Sequence, residues 1–262
     1  MHISFSSLKD WNDCPYKFKI YKVDGIRAFL GNEHTSFGSA MHYIAEFKAG
    51  NKTPKEPWDT AFEKKFVESI KECKENGANV TSFDKKLINS MRTQGKELIP
   101  LIKPALDKYF GKYEVFSIEM KLNEPIKGYE GINFLGYVDL IVKTPEDDML
   151  HLIDWKTCSW GWDARKKSDT MANYQLVLYK HFLSERLGVD PKMMETHFGL
   201  LKRVGKDLSK RVELFRITSG PKKTENALKL LNAAASNYKN NYFPKNRLSC
   251  SKCPFHKTKH CP

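Results

Sequence analysis

The sequence has no long apolar run. No segment approaches the roughly 18 consecutive apolar residues that a membrane-spanning helix needs, so we expect no membrane partner. The first ten residues show no basic stretch followed by an apolar block, the pattern of a secretory signal. Internal repeats and low-complexity segments are also absent from the sequence. These absences predict a soluble, intracellular protein.

Acidic residues are scarce relative to basic ones. The chain has 44 Lys and Arg against 31 Asp and Glu, a formal net charge of +13. The excess falls late, in the segments 202–223 and 243–262, and the second of these contains no acidic residue. Such a charge favours a polyanionic partner. A solvated, solubilising surface would explain it equally well, so the charge alone does not decide between them.

The pattern of apolar residues predicts one α/β domain over residues 1–262. Two short helices are expected near Leu8 and from Pro15 onward, because proline suits the first helical turn. Longer helices are expected over 37–48, 58–75, 83–110, 171–186 and 224–238. Strands are expected over 114–122, 134–142, 150–155, 197–202 and 212–217. Residues 51–112 therefore form a helical insertion in a domain whose strands come later.

Charged residues at the ends of two predicted strands carry the sharpest chemical signal. Asp139 lies on the first strand, and Asp154 and Lys156 lie two apart on the next, so these two share a face. Two neighbouring strands would thus present two carboxylates and one ammonium at one edge of the sheet. Carboxylates hold Mg²⁺ or Mn²⁺, which polarises a phosphoryl oxygen and acidifies a water. The pattern suits phosphodiester hydrolysis, although a surface ion pair would also produce it.

Two helices add residues of matching chemistry. His42 shares a helix face with Glu46, four residues on, and an imidazole is a plausible third ligand beside two carboxylates. On the helix after the second strand, Gln175 and Tyr179 are also four residues apart and would face the same site. Ordinary packing would equally explain the tyrosine. Glu119, on the preceding strand, is a weaker acidic candidate.

In this order, the motifs resemble those of the PD-(D/E)xK nuclease superfamily, most closely its RecB, AddB and Cas4-like branch with small phage-type exonucleases. The residues that carry the resemblance are Ser4, Ser6, Cys14, Pro15, Gly38, His42, Gly136, Asp139, Asp154, Lys156, Thr157, Gln175, Tyr179 and three terminal cysteines. The resemblance implies a restriction-endonuclease-like core, a central mixed sheet flanked by helices, with a helical N-terminal arm and a cysteine-rich C-terminal tail. It also implies a cytoplasmic location in a prokaryotic or phage-infected cell.

The same resemblance implies roles for single residues. The metal, Mg²⁺ or Mn²⁺, would be bound by His42, Asp139, Asp154 and the carbonyl of Trp155. Asp139, Asp154 and Lys156 would be catalytic, and Gln175 and Tyr179 would support them. Many relatives carry Glu where this chain has Asp154, and the shorter side chain shifts the expected metal position.

Three of the six cysteines have the spacing of metal ligands. Cys250 and Cys253 form a CxxC pair, and Cys261 follows seven residues later. A disulfide framework is a poor interpretation for an intracellular chain. The residues leave the fourth ligand open, since zinc would recruit His256 or His260, whereas an iron–sulfur cluster would recruit the thiol of Cys14.

The resemblance favours the iron–sulfur cluster, with zinc as the alternative. In the iron–sulfur members of the branch, one early cysteine joins three late ones around a [4Fe-4S] cluster. The ligands would then be Cys14, Cys250, Cys253 and Cys261, and the tail 243–262 would pack against the N-terminal segment. Cys73 and Cys158 are expected to be buried bystanders.

A basic and aromatic segment follows the second catalytic strand. Arg165, Lys166 and Lys167 would contact phosphates, and Trp160 and Trp162 would stack on the bases of a single strand; packing within the protein is an equal alternative for the tryptophans. We therefore expect a metal-dependent DNA nuclease, an exonuclease, acting on DNA ends or single strands in recombination, repair or replication. A homo-oligomer or a recombination or replication partner protein is also expected. The alternatives are a non-catalytic or adaptor-type DNA-binding protein of the same fold and a zinc-stabilised nucleic-acid-binding protein.

Overall fold

The computed structural model describes residues 1–50 and 54–262, so the predicted start of the insertion at residue 51 lies outside the described residues. The N-terminal part is helical because Ser4 caps the first helix and Pro15 begins the second. The helices are α1 (Phe5–Asp13), α2 (Pro15–Lys22), α3 (Glu33–Ala49), α4 (Trp58–Glu75), α5 (Lys85–Phe110), α6 (Ala164–Lys167), α7 (Thr170–Leu187) and α8 (Pro221–Lys239). Among the described residues, no helix is long and apolar enough to cross a membrane.

Within the described residues, six strands form one mixed sheet. They are β1 (His2–Ser4), β2 (Glu114–Pro125), β3 (Asn133–Lys143), β4 (Leu150–Cys158), β5 (Met194–Lys202) and β6 (Val212–Ile217). The order is β1-β3-β4-β5-β6, and β2 pairs with β3. The β1–β3 and β4–β5 pairs are parallel, and the other three are antiparallel. The predicted fold class, a mixed sheet flanked by helices, is confirmed.

Strand β3 has three neighbours, and this positions the site. One edge of β3 pairs with β2 over nearly its whole length. The other edge is shared, because β1 pairs with residues 133–135 and β4 pairs with residues 140–143. Residues 136–139 therefore lie in a notch between β1 and β4, where the edge of β3 has no strand beside it.

The two faces of the sheet are covered by different helices. Along β4, Leu152 belongs to an apolar core that includes residues of α7 and α8, whereas Ile153 and Trp155 belong to a second core formed with α3, α4 and α5. Because side chains alternate along a strand, Asp154 lies on the same face as Leu152, toward α7. The burial of apolar side chains on both faces fixes this register.

The predicted elements agree with the structure except at their ends. Helix α3 begins at Glu33, earlier than predicted, because Asn32 and Thr35 form a capping box. Strand β5 begins at Met194 and β4 extends to Cys158. Strand β1 has only three residues, too few to show a period of two, and the sequence does not predict it. Helix α5 continues through both of its prolines.

Candidate active site

The two acidic residues meet where β3 and β4 separate. Backbone pairing between these strands ends at Leu140 and Ile153, and Asp139 and Asp154 are the next residues toward the notch. The Trp155 backbone N–H donates a hydrogen bond of 2.7 Å to Asp139 Oδ2. The Asp139 carboxylate thus accepts the N–H that a backbone carbonyl would accept if the two strands were still paired here. This hydrogen bond holds Asp139 beside Asp154.

Asp154 is the most deeply buried charged group of the site, with 1% of its surface exposed. Its Oδ1 accepts a hydrogen bond of 2.7 Å from Gln175 Nε2. Its Oδ2 accepts no hydrogen bond of regular geometry, although the Lys156 ammonium lies 2.5 Å away. Oδ2 is therefore held by one ion pair and by no further donor among the described residues, and it is a position that a divalent cation could share with the ammonium.

Helix α7 supplies the support for Asp154. Gln175 and Tyr179 lie one turn apart, and Gln175 Nε2 also donates to Tyr179 Oη at 3.0 Å. Burial, together with the nearby Asp154, raises the pKa of Tyr179, so the phenol is neutral at physiological pH. The amide therefore bridges the phenol and the carboxylate and fixes the orientation of Asp154.

Helix α3 brings an imidazole and a further carboxyl group to Asp139. His42 Nδ1 lies 3.4 Å from Asp139 Oδ2, and donor atoms of His42, Glu46 and Asp139 all lie within 4.8 Å of one another. Burial lowers the pKa of His42 to about 4, so the imidazole is neutral and has a lone pair to offer. The sequence places Glu46 on the same helix face as His42 but does not predict it as a ligand. In the structure, Glu46 is only 3% exposed and lies beside Asp139, which makes it a candidate ligand.

The carboxylates of the site repel one another. Burial, followed by the negative charge of Asp139, raises the pKa of Glu46 to about 9. Burial and Asp154 likewise raise the pKa of Asp139 well above its usual range. Glu119 contributes to both shifts. It lies on β2 between the partners of Leu140 and Val138, so it sits across from Asp139, and its positive φ of 47° is a strained conformation.

This donor set fits a hard divalent cation. Carboxylate oxygens and a neutral imidazole are suitable ligands for Mg²⁺ or Mn²⁺, and a cation would relieve the repulsion that raises the carboxyl pKa values. The side chains that would hold it are His42, Asp139 and Asp154, with Glu46 as an addition from the structure. The role of the Trp155 carbonyl stays a prediction.

Comparison with known families agrees with this arrangement. The family model described as the PD-(D/E)XK nuclease superfamily matches residues 2–258. The chain belongs to the PD-(D/E)XK nuclease superfamily. No curated protein sequence matches the chain at a significant level. Membership implies nuclease chemistry that depends on a divalent metal, and the acidic and histidine cluster at the β3–β4 junction is where this PD-(D/E)XK chain would hold it.

The candidate active site of this PD-(D/E)XK nuclease opens into a cleft of about 780 Å³ beside α1 and α7. Lys156 lies at its base near Asp154, while Lys9 of α1 and Lys166 of α6 line its walls. Ser4 and Ser6 also line the cleft, and their hydroxyls are 2.9 Å apart. Besides the carboxylates of the candidate metal site, the cleft is lined by three lysines, Lys9, Lys156 and Lys166, and by two further acidic residues, Asp13 and Asp169. The lysines could attract a phosphate-bearing substrate.

The five predicted DNA-contacting residues are placed differently from one another. Trp160 is 75% exposed and packs against little of the protein. Trp162 packs edge-on against Phe198, with ring centroids 5.0 Å apart. Lys167 forms an ion pair with Glu213. Arg165 and Lys166 are exposed, but the Lys166 ammonium lies over the Trp162 ring, 5.4 Å from its centroid. Trp160 and Arg165 are thus the most open to a ligand, while Trp162, Lys166 and Lys167 have partners within the protein.

The four predicted cluster ligands line one cavity. Cys14, Cys250, Cys253 and Cys261 all border a space of about 710 Å³ between α2 and the tail, and all four are free thiols. The tail is fastened to the N-terminal segment by Asn246, whose backbone N–H lies 3.3 Å from Cys14 Sγ. Asn246 Nδ2 and Ser249 Oγ both donate to the carbonyl of Asp13, at 2.8 and 2.7 Å. Cys73 and Cys158 lie elsewhere.

Gly136 makes room for the support of Asp154. A Cβ atom at this position would come within 2.5 Å of Tyr179 Cε1. We expect Gly136→Ala to displace the Tyr179 ring and the Gln175 amide, and to lower nuclease turnover by up to about 10²-fold through misplacement of the carboxylate. Initial rates of DNA cleavage, with circular dichroism to check folding, measure the effect.

The matched control for Gly136→Ala is Gly220→Ala, before α8. A Cβ atom at Gly220 meets no atom within 4 Å, and the residue is remote from the cleft. We expect its turnover to equal that of the wild type. Equal turnover in the two alanine variants would show that Gly136 does not hold the site in place.

Proposed function

We propose that this chain is a Mg²⁺- or Mn²⁺-dependent DNA exonuclease of the RecB, AddB and Cas4-like branch. One observation supports it most. The buried Asp154 carboxylate is oriented by Gln175 through one oxygen, while its other oxygen faces Lys156 without a regular hydrogen bond. A buried carboxylate that is oriented by an amide and paired with a part-exposed lysine in the same cleft is suited to hold a cation beside a reacting phosphate.

The residues of the chain have separate tasks in this proposal. A bound Mg²⁺ or Mn²⁺ would supply Lewis-acid polarisation of the scissile phosphate and make a water more acidic. Asp139, Asp154 and His42 would hold that ion at the notch in β3, where the cleft admits the substrate. The Lys156 ammonium, 31% exposed at the base of the cleft, would orient the attacking water or stabilise the charge that builds on phosphorus. The oxygen of a water would bond to phosphorus while the bond to the leaving deoxyribose oxygen breaks, and that oxygen would take up a proton, leaving one phosphate end and one hydroxyl end.

The substrate class follows from the charges around the cleft. Lys9, Lys156 and Lys166 line it, and the net charge of +13 adds a long-range attraction to any polyanion. Exposed Trp160 lies just beyond β4 and offers a stacking surface for an unpaired base. Binding through phosphates and stacking would tolerate any sequence and weaken with salt.

One assay tests the proposed activity. End-labelled linear duplex, linear single strands and a closed circle are incubated with the purified chain and Mg²⁺ or Mn²⁺. An exonuclease releases label from the linear substrates and leaves the circle intact, whereas cleavage of the circle would indicate an endonuclease. DNA that is bound but not cleaved with either metal would contradict the proposal and favour an adaptor-type DNA-binding protein.

We also propose that the four thiols of the tail cavity hold a [4Fe-4S] cluster. The four thiols are free and line one cavity of about 710 Å³ between the N-terminal segment and the tail. A cluster bound by all four would join the N-terminal segment to the tail and close a long loop.

The cluster proposal predicts a colour change on substitution. We expect anaerobically prepared wild type to be brown, with broad absorbance near roughly 400 nm, and Cys14→Ser to lose most of it, because one of four ligands is removed. Cys158→Ser is the control, since this thiol lies outside the cavity and should leave the spectrum unchanged. A colourless wild type without iron, in which Cys250→Ser holds one zinc fewer than Cys158→Ser, would instead identify the zinc alternative.

The cellular context is proposed on the same basis. A basic DNA exonuclease of this branch would act in DNA recombination, repair or replication in the cytoplasm of a prokaryotic or phage-infected cell, alone, as a homo-oligomer or with a partner protein. The segments 51–112 and 243–262 would then be a helical insertion and a cluster-binding tail of one nuclease domain.

A further inference from the structure

A second cluster of ligand side chains lies at the other end of the sheet. His151 is on β4, three residues before Asp154, which is about 10 Å along the strand. The β4–β5 register places it beside Glu195, and His197 follows two residues later on the same face. Because side chains alternate, this cluster faces α5, whereas Asp154 faces α7. It therefore lies on the face of the sheet opposite Asp154 and about 10 Å along the strand from it.

The three ligand atoms form a small triangle. His151 Nδ1 lies 3.1 Å from His197 Nε2. Glu195 Oε2 lies 3.6 Å from His151 Nδ1 and 3.7 Å from His197 Nε2. A tetrahedral zinc ion with bonds of about 2.0–2.1 Å separates its ligand atoms by about 3.3–3.4 Å. The triangle thus already has the dimensions of a zinc site.

The outer nitrogen of each imidazole has an oxygen partner, the arrangement that orients histidine ligands in metal sites. His197 Nδ1 lies 3.2 Å from Tyr109 Oη, and His151 Nε2 lies 3.0 Å from Thr144 Oγ1. The Thr144 hydroxyl donates its own hydrogen to Asp147 Oδ1, 2.5 Å away. Thr144 must therefore accept the hydrogen on His151 Nε2, which leaves His151 Nδ1 with a lone pair directed into the triangle.

The surroundings keep both imidazoles neutral. His151 and His197 are 7% and 2% exposed, and the Phe110 ring covers them, with centroids 4.9 and 5.3 Å away. Burial lowers the pKa of His197 to about 3 and also lowers that of His151, and the neutral form is the one that binds metal. Arg216 forms an ion pair of 2.9 Å with Glu195 Oε1, which leaves Oε2 for the cluster.

We propose that His151, Glu195 and His197 bind a zinc-class divalent cation, with water in the fourth position. Two imidazoles and one carboxylate favour zinc over the magnesium or manganese suited to the oxygen-rich active site. The ion would join β4 to β5 at the end of the sheet distant from the notch, with its fourth position open to water or another ligand. The chain would then carry two cation sites of different chemistry on one strand.

Zinc content and thermal unfolding of the full chain test this site. Wild type, Glu195→Gln, His197→Asn and the control His181→Asn are dialysed against Zn²⁺ and analysed by elemental mass spectrometry. His181 pairs with Glu185 on α7 and lies outside the cluster. We expect wild type and His181→Asn to hold one more zinc per chain than the two cluster variants. Zinc should also raise the melting temperature of the wild type and of His181→Asn, but not that of Glu195→Gln or His197→Asn.

The comparison separates this site from the tail. The tail cysteines are present in all four proteins, so zinc bound there cancels in the difference. If His197→Asn does not fold, Glu195→Gln decides the question, because glutamine has the same shape and Glu195 is 24% exposed. Equal zinc content in wild type and Glu195→Gln, with equal thermal response, would overturn the proposal.

Discussion

Replacing Lys156 by methionine should lower DNA cleavage by about 10²–10³-fold, the usual cost of removing one group that stabilises transition-state charge. Methionine is nearly as long as lysine, so the loss of cleavage measures the contribution of the ammonium, which lies 2.5 Å from Asp154 Oδ2. Single-turnover cleavage of labelled DNA at saturating Mg²⁺ measures the effect. DNA binding in chelator and the melting temperature show whether the variant remains folded.

Lys166→Ala is the matched control, because Lys166 lines the same cleft on α6. We expect it to weaken DNA binding and to lower the slope of log affinity against log salt by about one, while saturating turnover changes little. A Lys156→Met enzyme whose turnover stays within a few-fold of the wild type would remove Lys156 from the chemistry. The two lysines thus separate a role in the reaction from a role in attraction.

Trp155→Ala should destabilise the fold by about 3–5 kcal/mol, the range for large aromatic residues in a core. Trp155 is fully buried, and its ring lies against Gly199, where a Cβ atom would come within 2.3 Å of it. For a chain of this size the loss corresponds to a fall in melting temperature of roughly 6–20 °C. Calorimetry or circular dichroism measures it.

Trp160→Ala is the control for Trp155→Ala, since the two tryptophans are five residues apart and differ in burial. Trp160 is 75% exposed, so we expect its removal to change stability by no more than about 0.5 kcal/mol. It should weaken single-strand binding, with a stacking loss of about 1–3 kcal/mol. A large drop in melting temperature for Trp160→Ala, or none for Trp155→Ala, would contradict this packing.

Much of the fold is predictable from the sequence because the residue patterns of its central helices and strands extend over many positions. The branched and aromatic runs of β3 and β4 predict the central strands, and the fold class is confirmed. The grouping of Asp139, Asp154 and Lys156 also follows from strand alternation alone, since residues at the ends of adjacent strands meet at one edge. The structure brings these three together with His42, Gln175 and Tyr179, and their roles stay predictions until activity is measured.

Other features depend on contacts that no local pattern encodes. Glu46 lies one turn from His42 and resembles any helical glutamate, until the fold buries it against Asp139. His151 and His197 are 46 residues apart, and only the parallel β4–β5 register makes them neighbours. Strand β1 has three residues and is defined by its partner β3 rather than by its own sequence.

The interruption along β3 determines how this enzyme can be altered. Because β1 and β4 border the opening through backbone hydrogen bonds at residues 133–135 and 140–143, its width is set by main-chain geometry and not by rotamers. Exchanging a side chain of the cleft changes its lining but leaves β1 and β4 at the same positions along β3. A longer or shorter interval between these strands would require inserting or deleting residues in β3, or breaking the pairing of one of them.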